Sequence, residues 1–379
     1  HRSEKIIRMK VLYSCLSKSW GGMEMFALTA VSQLLKRNIE TELMCYPGSR
    51  IHKEALDNNF KVFPLKAEGY FNPPAVLSLF MYLQSGKFNI VHTQASKDLW
   101  MLVPALKGAA AKTPLILTKQ VGSFIIKKDA LHQWIYNRVD LIFAISSVIK
   151  QNLVDTCPVN EDKIMLMHNG INMDKFDPAK ANPSKIRSEF GIAGDELLIG
   201  MLARFSPGKG HEEFLHAAKQ NLEHNKKLKF LIVGEASRGE EKYAESIRKM
   251  AEDMGIKENV IFAGFRSDTP DVLSALDIFV FPSHAEALGI ALIEALAMGR
   301  PSVCSASDGT LDVAVENETS LLFKKQDAED LSGKLKMLID SPELRQRFGL
   351  AARQRAVNHF DIEKLTDKTV EIYRSLLPE

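Results

Sequence analysis

The sequence has few cysteines and no long hydrophobic run. Its four cysteines, from Cys15 to Cys304, are scattered and form no C-x-x-C pair, which predicts reduced core residues rather than a disulfide framework. No apolar stretch approaches the roughly 20 residues that a membrane helix needs. We expect no secretory signal in the first residues, and these absences together favour a cytoplasmic protein.

Strong charge of either sign is missing as well. A formal net charge of +2 gives no general reason to expect nucleic-acid binding. One local cluster is basic, because Lys119, Lys127 and Lys128 lie near Trp134 and Tyr136 in the sequence. Peripheral contact with an anionic membrane surface is one interpretation of this cluster, and an ordinary solvated face is the other.

The chain of 379 residues is too long for one ordinary domain and fits two. Strand-like and helix-like segments alternate in both halves, which predicts an α/β fold with parallel sheets covered on both faces. We expect two Rossmann-like, doubly wound domains facing one another across a cleft. The predicted strands are Lys10–Cys15, Glu40–Cys45, Lys61–Pro64, Ile90–His92, Leu115–Thr118 and Asp140–Ala144 in the first half, and Leu197–Leu202, Lys229–Val233, Val260–Ala263, Ile278–Phe281 and Pro301–Cys304 in the second.

A segment with the composition of a linker separates the two halves of the sequence. The apolar segment Ile164–His168 is followed by a turn at Asn169-Gly170-Ile171-Asn172 and by two prolines, a composition that predicts an inter-domain linker. We therefore expect one domain over residues 1–170 and a second over 171–355. A C-terminal helix is expected over 356–379, with a return to the first domain as one option.

The stretch from Glu286 to Glu294 carries the first chemical signal. It follows a predicted strand, and Gly289 can open the next helix. The N–H groups of Leu288, Gly289 and Ile290 at a helix start are suited to a phosphate. Two carboxylates beside that site can accept hydrogen bonds from paired sugar hydroxyls. By spacing alone, two unrelated surface glutamates remain an alternative.

A second signal lies in the loop after the strand Leu197–Leu202. Arg204 and Lys209 stand on this loop just before a predicted helix. A guanidinium grips phosphate oxygens as a fork, whereas an ammonium acts as a mobile point charge. The pair can hold a diphosphate and stabilise it as it leaves, and the alternative is a solvated basic loop.

Four segments of the sequence occur in an order that is typical of one enzyme family. Pro282-Ser283 to Glu286, Glu294 to Pro301, the Arg204/Lys209 loop and His168-Asn169-Gly170-Ile171 together resemble the family 4 retaining glycosyltransferases of the GT-B fold. The resemblance covers nearly the whole chain and is most specific between Phe281 and Val303. It implies an N-terminal acceptor-binding domain and a C-terminal domain that binds a nucleotide-sugar donor.

The resemblance assigns roles to residues of the second half. Arg204 and Lys209 would bind the donor diphosphate, Glu286 the hydroxyls of the transferred sugar, and Glu294 the ribose hydroxyls. The first three are the predicted catalytic residues. The remaining predicted donor contacts are Leu288, Gly289 and Ile290 at the distal phosphate and sugar, and Gly234 and Gly264-Phe265-Arg266 along the same cleft, with Phe265 and Arg266 beside the nucleobase.

In the first half, Gly21-Gly22 fits the glycine-rich loop that such enzymes place against donor phosphate and acceptor, although a plain strand-to-helix turn is an alternative. Many relatives carry His-x-His after the fourth strand. Here His92 is followed by Gln94, which can donate and accept hydrogen bonds but cannot act as a general base. We therefore predict a packed structural His92 and a substrate-binding Gln94.

The resemblance also implies the reaction. We expect transfer with retention to an acceptor hydroxyl in bacterial envelope polysaccharide or lipopolysaccharide synthesis. The donor base (uracil, guanine or adenine) and the acceptor (saccharide, lipid-linked or small molecule) stay open. The absence of any Asp-x-Asp motif predicts that no metal and no other cofactor is needed.

Three rival functions would each require other features. An NAD-linked oxidoreductase would need G-x-G-x-x-G after the first strand, which Ser19-Trp20-Gly21-Gly22-Met23-Glu24 does not match. An epimerase-like enzyme of the same fold and a non-catalytic nucleotide-sugar binding protein stay open as alternatives.

Overall fold

The computed structural model describes residues 9–109 and 112–377. The described chain forms two compact units. The first unit runs to Asn169 and includes the segment from Glu363 onward, whereas the second unit is Gly170–Ile362. Among the described residues, no helix combines the length and the apolar character that a bilayer crossing requires.

The first unit is built on a seven-stranded, all-parallel sheet in the order β3-β2-β1-β4-β5-β6-β7. Because the central strands β1, β4 and β5 are covered on both faces, they are buried at nearly every position and do not alternate between buried and exposed residues. The strands are β1 Lys10–Cys15, β2 Glu40–Cys45, β3 Lys61–Pro64, β4 Ile90–Thr93, β5 Leu115–Lys119, β6 Leu141–Ala144 and β7 Ile164–Leu166.

Helices of the first unit cover this sheet. They are α1 Gly22–Lys36, α2 Arg50–Asp57, α3 Pro73–Gly86, α4 Leu99–Gly108, α5 Ala130–Tyr136 and α6 Ser147–Thr156. The last helix of the chain, α15 Ile362–Ser375, contributes Val370 and Tyr373 to the same apolar core. Arg37 anchors that helix through an ion pair of its Nε with Asp367 Oδ1 at 2.6 Å.

The second unit repeats the architecture with six parallel strands in the order β10-β9-β8-β11-β12-β13. Its strands are β8 Leu197–Leu202, β9 Leu228–Val233, β10 Val260–Gly264, β11 Ile278–Phe281, β12 Ser302–Ser305 and β13 Ser320–Phe323. Its helices are α7 Pro183–Glu189, α8 His211–His224, α9 Glu241–Asp253, α10 Thr269–Ala275, α11 Ile290–Ala297, α12 Thr310–Val313, α13 Ala328–Asp340 and α14 Pro342–His359.

Each sheet has one point where the direction of winding reverses. That point lies between β1 and β4 in the first unit and between β8 and β11 in the second. Loops leaving the carboxyl ends of two such strands diverge to opposite faces and leave a crevice in which open α/β sheets bind ligands. The strand order therefore directs attention to the loops that follow these four strands.

The predicted fold class, two Rossmann-like parallel α/β domains, is confirmed by this architecture. Several elements differ from the sequence-based prediction. Ile164–Leu166, assigned to the linker, is a strand paired with β6, and α5, α6, α7, α12 and β13 were not predicted. The sequence pattern also predicts a helix over Asp98–Ala110. In the structure this helix, α4, begins at Leu99 and ends at Gly108, and Ala110 lies outside the described residues.

Candidate functional site

Two loops meet at the reversal point of the second sheet. The loop over residues 203–210 follows β8, and the loop over 282–289 follows β11, which pairs with β8. The backbone N–H of His284 donates to the carbonyl of Gly208 at 2.8 Å. The sheet order and this bond place the two predicted signals, which lie about eighty residues apart in sequence, side by side.

The two loops also share an ion pair. Lys209 Nζ lies 2.5 Å from Glu286 Oε1, and both side chains are about one-fifth exposed. An ammonium held at this depth beside a carboxylate keeps donors free for a further anionic or hydroxyl group, because Lys has three N–H bonds and no acceptor. Arg204 on the same loop is exposed, and its Nη1 donates to Ser237 Oγ at 3.3 Å.

Gly210 sets how closely the loops approach. Its backbone is left-handed, with φ of +81°, and a Cβ there would lie 2.4 Å from the carbonyl oxygen of Pro282. Gly208 also has a left-handed φ of +83°, but a Cβ there would meet only the His284 ring at 3.8 Å. The Lys209–Glu286 contact thus depends on a bare backbone at residue 210 more than at residue 208.

This difference gives a matched pair of variants. Gly208→Ala should cost only the left-handed strain of an L residue, about 1 kcal/mol, whereas Gly210→Ala adds an overpacking cost for a total of about 2–4 kcal/mol. Urea unfolding of the two variants beside the wild type measures the difference. Equal destabilisation would show that the loop approach at Pro282 is not constrained.

Helix α11 begins directly after the second loop. Its N-cap is Gly289, with φ of +90°, and the helix starts at Ile290. The first amides of a helix have no carbonyl one turn earlier to bond to and carry a partial positive charge. Leu288, Gly289 and Ile290 therefore surround the kind of anion-binding terminus that the sequence predicted.

Glu294 lies on the second turn of α11 and is half-buried. Burial raises the pKa of its carboxyl group to about 7, and the charge of Lys175 opposes that shift. A carboxyl group with this pKa loses its proton near neutral pH. The carboxylate can only accept hydrogen bonds, whereas the carboxylic acid donates one and accepts fewer.

The remaining predicted donor contacts lie at the ends of β9 and β10. The N–H of Gly234 donates to the carbonyl of Gly264 at 2.9 Å, and Phe265 is exposed, so its ring is available for stacking. Arg266, by contrast, is engaged within the unit. It forms ion pairs with Glu189 at 2.6 Å and with Asp268 at 2.8 Å, and these carboxylates raise its pKa.

In the first unit, Gly21 is the N-cap of α1 and Gly22 is its first residue, and the loop from β1 ends there at the reversal point of the sheet. Packing does not demand glycine at either position. A Cβ at Gly22 would meet nothing within 4 Å, and one at Gly21 would meet only Glu24 Oε2, at 3.6 Å. Glycine at positions 21 and 22 therefore leaves the backbone uncovered at a place where packing would allow a side chain.

Gln94 follows β4 but is buried and already bonded. Its Nε2 donates to the Tyr13 hydroxyl, and its Oε1 accepts from Gln120 Nε2 at 2.6 Å. Asn169 extends this network, since its Nδ2 donates to Gln120 Oε1 at 2.7 Å. A substrate contact by Gln94 would have to share these bonds, because its side chain is only 2% exposed.

His92 is packed among partners on both ring nitrogens. Nε2 lies 2.7 Å from Thr118 Oγ1, and Nδ1 contacts the Tyr373 hydroxyl of α15. Burial lowers the pKa of His92 to about 3, so the imidazole is neutral. This geometry matches the packed, structural histidine of the prediction.

Two residues at the reversal points were not predicted from sequence. Asp98 accepts from Ser14 Oγ at 2.5 Å and from the Leu16 N–H at 3.1 Å, so it holds the β1 and β4 loops together. Its pKa is raised to about 6 by burial. A carboxylate five residues after the end of β4 was the available signal.

His284 is the second such residue. Its Nε2 lies 2.7 Å from Glu213 Oε1 in the first turn of α8, and its Nδ1 is 3.3 Å from Gln326. This pair fixes the start of the Glu286 loop against the helix that follows Lys209. Its position two residues before Glu286, at the end of a predicted strand, was the signal that could have singled it out.

Comparison with known proteins agrees with this geometry. The family model described as "Glycosyl transferases group 1" matches residues 183–355, and the one described as "Glycosyltransferase Family 4" matches residues 20–175. An Escherichia coli protein, UDP-Gal:alpha-D-GlcNAc-diphosphoundecaprenol alpha-1,3-galactosyltransferase, is 24% identical over 97% of each chain.

Two solved structures have the same fold. A glycosyltransferase from Rickettsia africae superposes with a TM-score of 0.88 at 23% identity, covering 98% of this chain and 99% of its own. Anabaena Alr3699/HepE in complex with UDP has a TM-score of 0.84 at 19% identity, covering 97% of this chain and all of its own. The two family models, one in each half, together match most of the chain and show that it belongs to the family 4-like glycosyltransferases, and the two neighbours show that it has the GT-B fold.

Proposed function

We propose that this glycosyltransferase moves a hexose from a nucleoside-diphosphate sugar to an acceptor hydroxyl, with retention of anomeric configuration. The second unit is the donor domain, and the first is the acceptor-binding domain. The observation that carries the proposal is the Lys209–Glu286 ion pair at 2.5 Å, which lies at the reversal point of the second sheet, directly before the start of α11. A cation and the amides at a helix start suit a diphosphate, and a carboxylate suits the hydroxyl groups of a sugar.

The positive groups suit the diphosphate. Lys209 and the exposed Arg204 stand on one loop, and the N–H groups at the start of α11 add partial positive charge. As the bond between the anomeric carbon and the phosphate oxygen breaks, negative charge grows on the leaving diphosphate. Preorganised cations at that position stabilise the transition state more than the ground state, so we propose that they serve where other transferases use a divalent metal.

The carboxylates suit the hydroxyl groups. Glu286, held in place by Lys209, would accept from hydroxyls of the transferred sugar. Glu294, five residues into α11, would accept from the ribose. Phe265 would stack on the base, whereas Arg266 would act by holding its loop through Glu189 and Asp268 rather than by touching the donor.

Retention follows from a same-face transfer. The acceptor oxygen would bond to the anomeric carbon on the face from which the diphosphate departs, and a phosphate oxygen would take the acceptor proton. The protein would contribute orientation and electrostatic stabilisation. Neither Gln94 nor the neutral His92 is needed as a base in this scheme, and both would position the acceptor side through Tyr13, Gln120 and Thr118.

The acceptor is proposed to be a saccharide of the bacterial envelope, either lipid-linked or free. The Escherichia coli relative is named for an acceptor of the lipid-linked kind, and a Rhizobium meliloti relative is named for lipopolysaccharide core biosynthesis. We propose a cytoplasmic enzyme with peripheral contact at the inner face of the membrane. Of the predicted basic and aromatic face, Lys128 is exposed, whereas Lys119 and Tyr136 are buried.

A thermal-shift panel of UDP-, GDP- and ADP-sugars tests the donor class. A ligand that binds only the folded state raises the melting temperature with its concentration over Kd, so the true donor should separate from the rest. Transfer to an alcohol acceptor, followed by NMR of the anomeric proton, then tests retention. An inverted product, hydrolysis or epimerisation without an acceptor, or binding without turnover would each contradict the proposal.

The metal-free scheme has its own test. Prolonged dialysis against a chelator should leave the rate of transfer unchanged, because Arg204 and Lys209 provide the charge. Loss of activity that magnesium or manganese restores would overturn this part of the proposal.

A further inference from the structure

The first unit contains a large groove that reaches the loop after β4 at Ser96 and Lys97 and otherwise lies outside the loops discussed above. It has a volume of about 1320 Å³ and is lined by α3, α4, α5 and the segments that precede these three helices. Its walls are mostly apolar, and Phe71, Leu77, Ile125, Trp100 and Trp134 are among the lining residues. No residue proposed for donor binding lines it.

The apolar wall is exposed to an unusual degree. Phe71 is 88% exposed, Ile125 is 70% exposed and Leu77 is 57% exposed. Single exposed apolar side chains are ordinary, but a contiguous set around a concave surface marks a binding site. A ligand chain that filled the groove would remove these side chains from water.

The groove is also positively charged. Lys97 and Lys127 line it, and the buried Lys119 donates from Nζ to Ser96 Oγ, a lining residue, at 3.0 Å. In the part of the chain that the structure describes, none of these three lysines has a carboxylate within ion-pair distance. Burial and the nearby charge of Lys127 lower the pKa of Lys119, which an anion at this place would reverse.

The neighbouring acid does not neutralise the cluster. Asp129 is committed to His132, whose Nδ1 lies 2.5 Å from Asp129 Oδ2. Lys107 Nζ lies 4.3 Å from the centre of the Trp134 ring, so a further cation borders the apolar wall. Lys97 also lies over the Tyr70 ring, with its Nζ 5.6 Å from the ring centre. Apolar walls bordered by ammonium groups without a carboxylate partner among the described residues are complementary to an anionic amphiphile.

We propose that this groove binds one molecule of a phosphate-bearing lipid, with the hydrocarbon chain against Phe71, Leu77 and Ile125. The phosphate would lie at Lys97 and Lys127, and the buried Lys119 would add positive charge behind Ser96. A second copy of the chain is disfavoured as the occupant, because a two-fold contact would bring both lysine sets together. The inference rests on the proposed function in one respect only, namely that the lipid is the carrier of the acceptor sugar.

Tryptophan fluorescence gives a direct measurement. The chain has three tryptophans, and in a Trp20→Phe background the two that remain, Trp100 and Trp134, both line the groove. Monomeric dodecyl phosphate should change their emission saturably at one molecule per chain. Each methylene removed from the alkyl chain should weaken binding about fourfold, and dodecyl phosphocholine or inorganic phosphate should bind at least tenfold more weakly.

Matched variants assign the effect to the groove. Leu77→Glu and Lys127→Glu should each weaken dodecyl phosphate at least tenfold. Leu56→Glu and Lys53→Glu, exposed positions on α2 of the same unit, should leave binding unchanged. Equal affinity in Leu77→Glu and wild type, no dependence on chain length, or a wild-type dimer that Leu77→Glu dissociates without any lipid binding would each overturn the proposal.

The lipid titration uses no donor, so the two proposals fail separately. If the protein binds nucleotide sugars but not dodecyl phosphate, the proposal of a lipid in the groove is wrong and the proposed transferase function is unaffected. Intact lipid binding without nucleotide-sugar binding would remove the donor assignment instead.

Discussion

Replacing Lys209 with alanine should weaken binding of the nucleotide-sugar donor about a hundredfold or more while the second unit stays folded. Two effects add. The diphosphate loses a charge-assisted hydrogen bond, worth about 1.5–3 kcal/mol, and Glu286, only 19% exposed, keeps a charge that no cation compensates and that repels the phosphates. Isothermal titration with the donor selected by the thermal-shift panel measures the loss.

A second variant separates the two effects. In Lys209→Ala/Glu286→Gln the uncompensated carboxylate is gone, so part of the donor affinity lost in Lys209→Ala should return. The remaining deficit measures the lost attraction itself. A double variant no better than Lys209→Ala would show that repulsion by Glu286 is negligible.

The control is another lysine of the same unit. Lys227 Nζ pairs with Asp195 Oδ2 at 2.7 Å on the surface, and such exposed pairs contribute about 0–1 kcal/mol. Lys227→Ala removes the same charge and also breaks an ion pair, yet donor affinity should not change. A donor Kd for Lys209→Ala within twofold of wild type would contradict the placement of the diphosphate.

The bounds of β1, β8 and β11 were predicted to the residue, because each contains consecutive buried apolar residues. The bounds of the short β3 were predicted as well. The missed elements are short or lack such a run of apolar residues. β7 has three residues, one of them exposed, and α6 buries only Ile149, Leu153 and Thr156. The Ser146 hydroxyl that accepts from the Ile149 N–H was an unrecognised N-cap.

The site was predicted as two separate signals, and the structure joined them. Lys209 and Glu286 lie 77 positions apart, and only the pairing of β8 with β11 brings their loops together. The same limit explains Arg266, whose partner Glu189 is also 77 positions away. Spacing in the sequence cannot show whether a guanidinium is already paired. The predicted place of Arg266 beside the nucleobase therefore stays a prediction, and Glu189 would compete with the base for this side chain.

Gln94 illustrates a different limit. Sequence showed which residue stands after β4 and what its amide can do, but its bonds to Tyr13 and Gln120 depend on three strands. The sequence also did not predict the groove of the first unit as a cavity. It indicated the basic and aromatic cluster, but the lining residues Phe71 and Leu77 come from α3 and the segment before it.

Glu294 should make donor affinity depend on pH. Its pKa of about 7 is raised by burial, and only the ionised carboxylate accepts from both ribose hydroxyls. Donor affinity should therefore rise about tenfold between pH 6 and pH 8, following the ionised fraction of this group. An intact nucleotide sugar has no ionisation in this range, and the buried His92 and His211, with pKa values of about 3 and about 4, do not titrate there.

Glu294→Gln removes the titration and gives a second readout in stability. Because the folded-state pKa of about 7 exceeds the ordinary 4.5, the folded protein binds more protons between these values. The stability contributed by the neutral carboxyl group is complete below pH 4.5 and is lost as pH rises through 7. At pH 8 the glutamine variant should therefore be more stable than wild type by about 1–3 kcal/mol, whereas at pH 4 the two should be equal.

Donor titrations and urea unfolding at pH 6, 7 and 8, with added unfolding at pH 4, test both outcomes on one set of samples. Glu294→Gln should bind the donor weakly with little dependence on pH. Glu245→Gln, an exposed position on α9, should retain the wild-type pH profile. A wild-type affinity that is flat from pH 6 to 8 would show that Glu294 does not hold the ribose. If donor affinity does not depend on pH but the stability difference is seen, the raised pKa of Glu294 is confirmed and its proposed contact with the ribose is wrong.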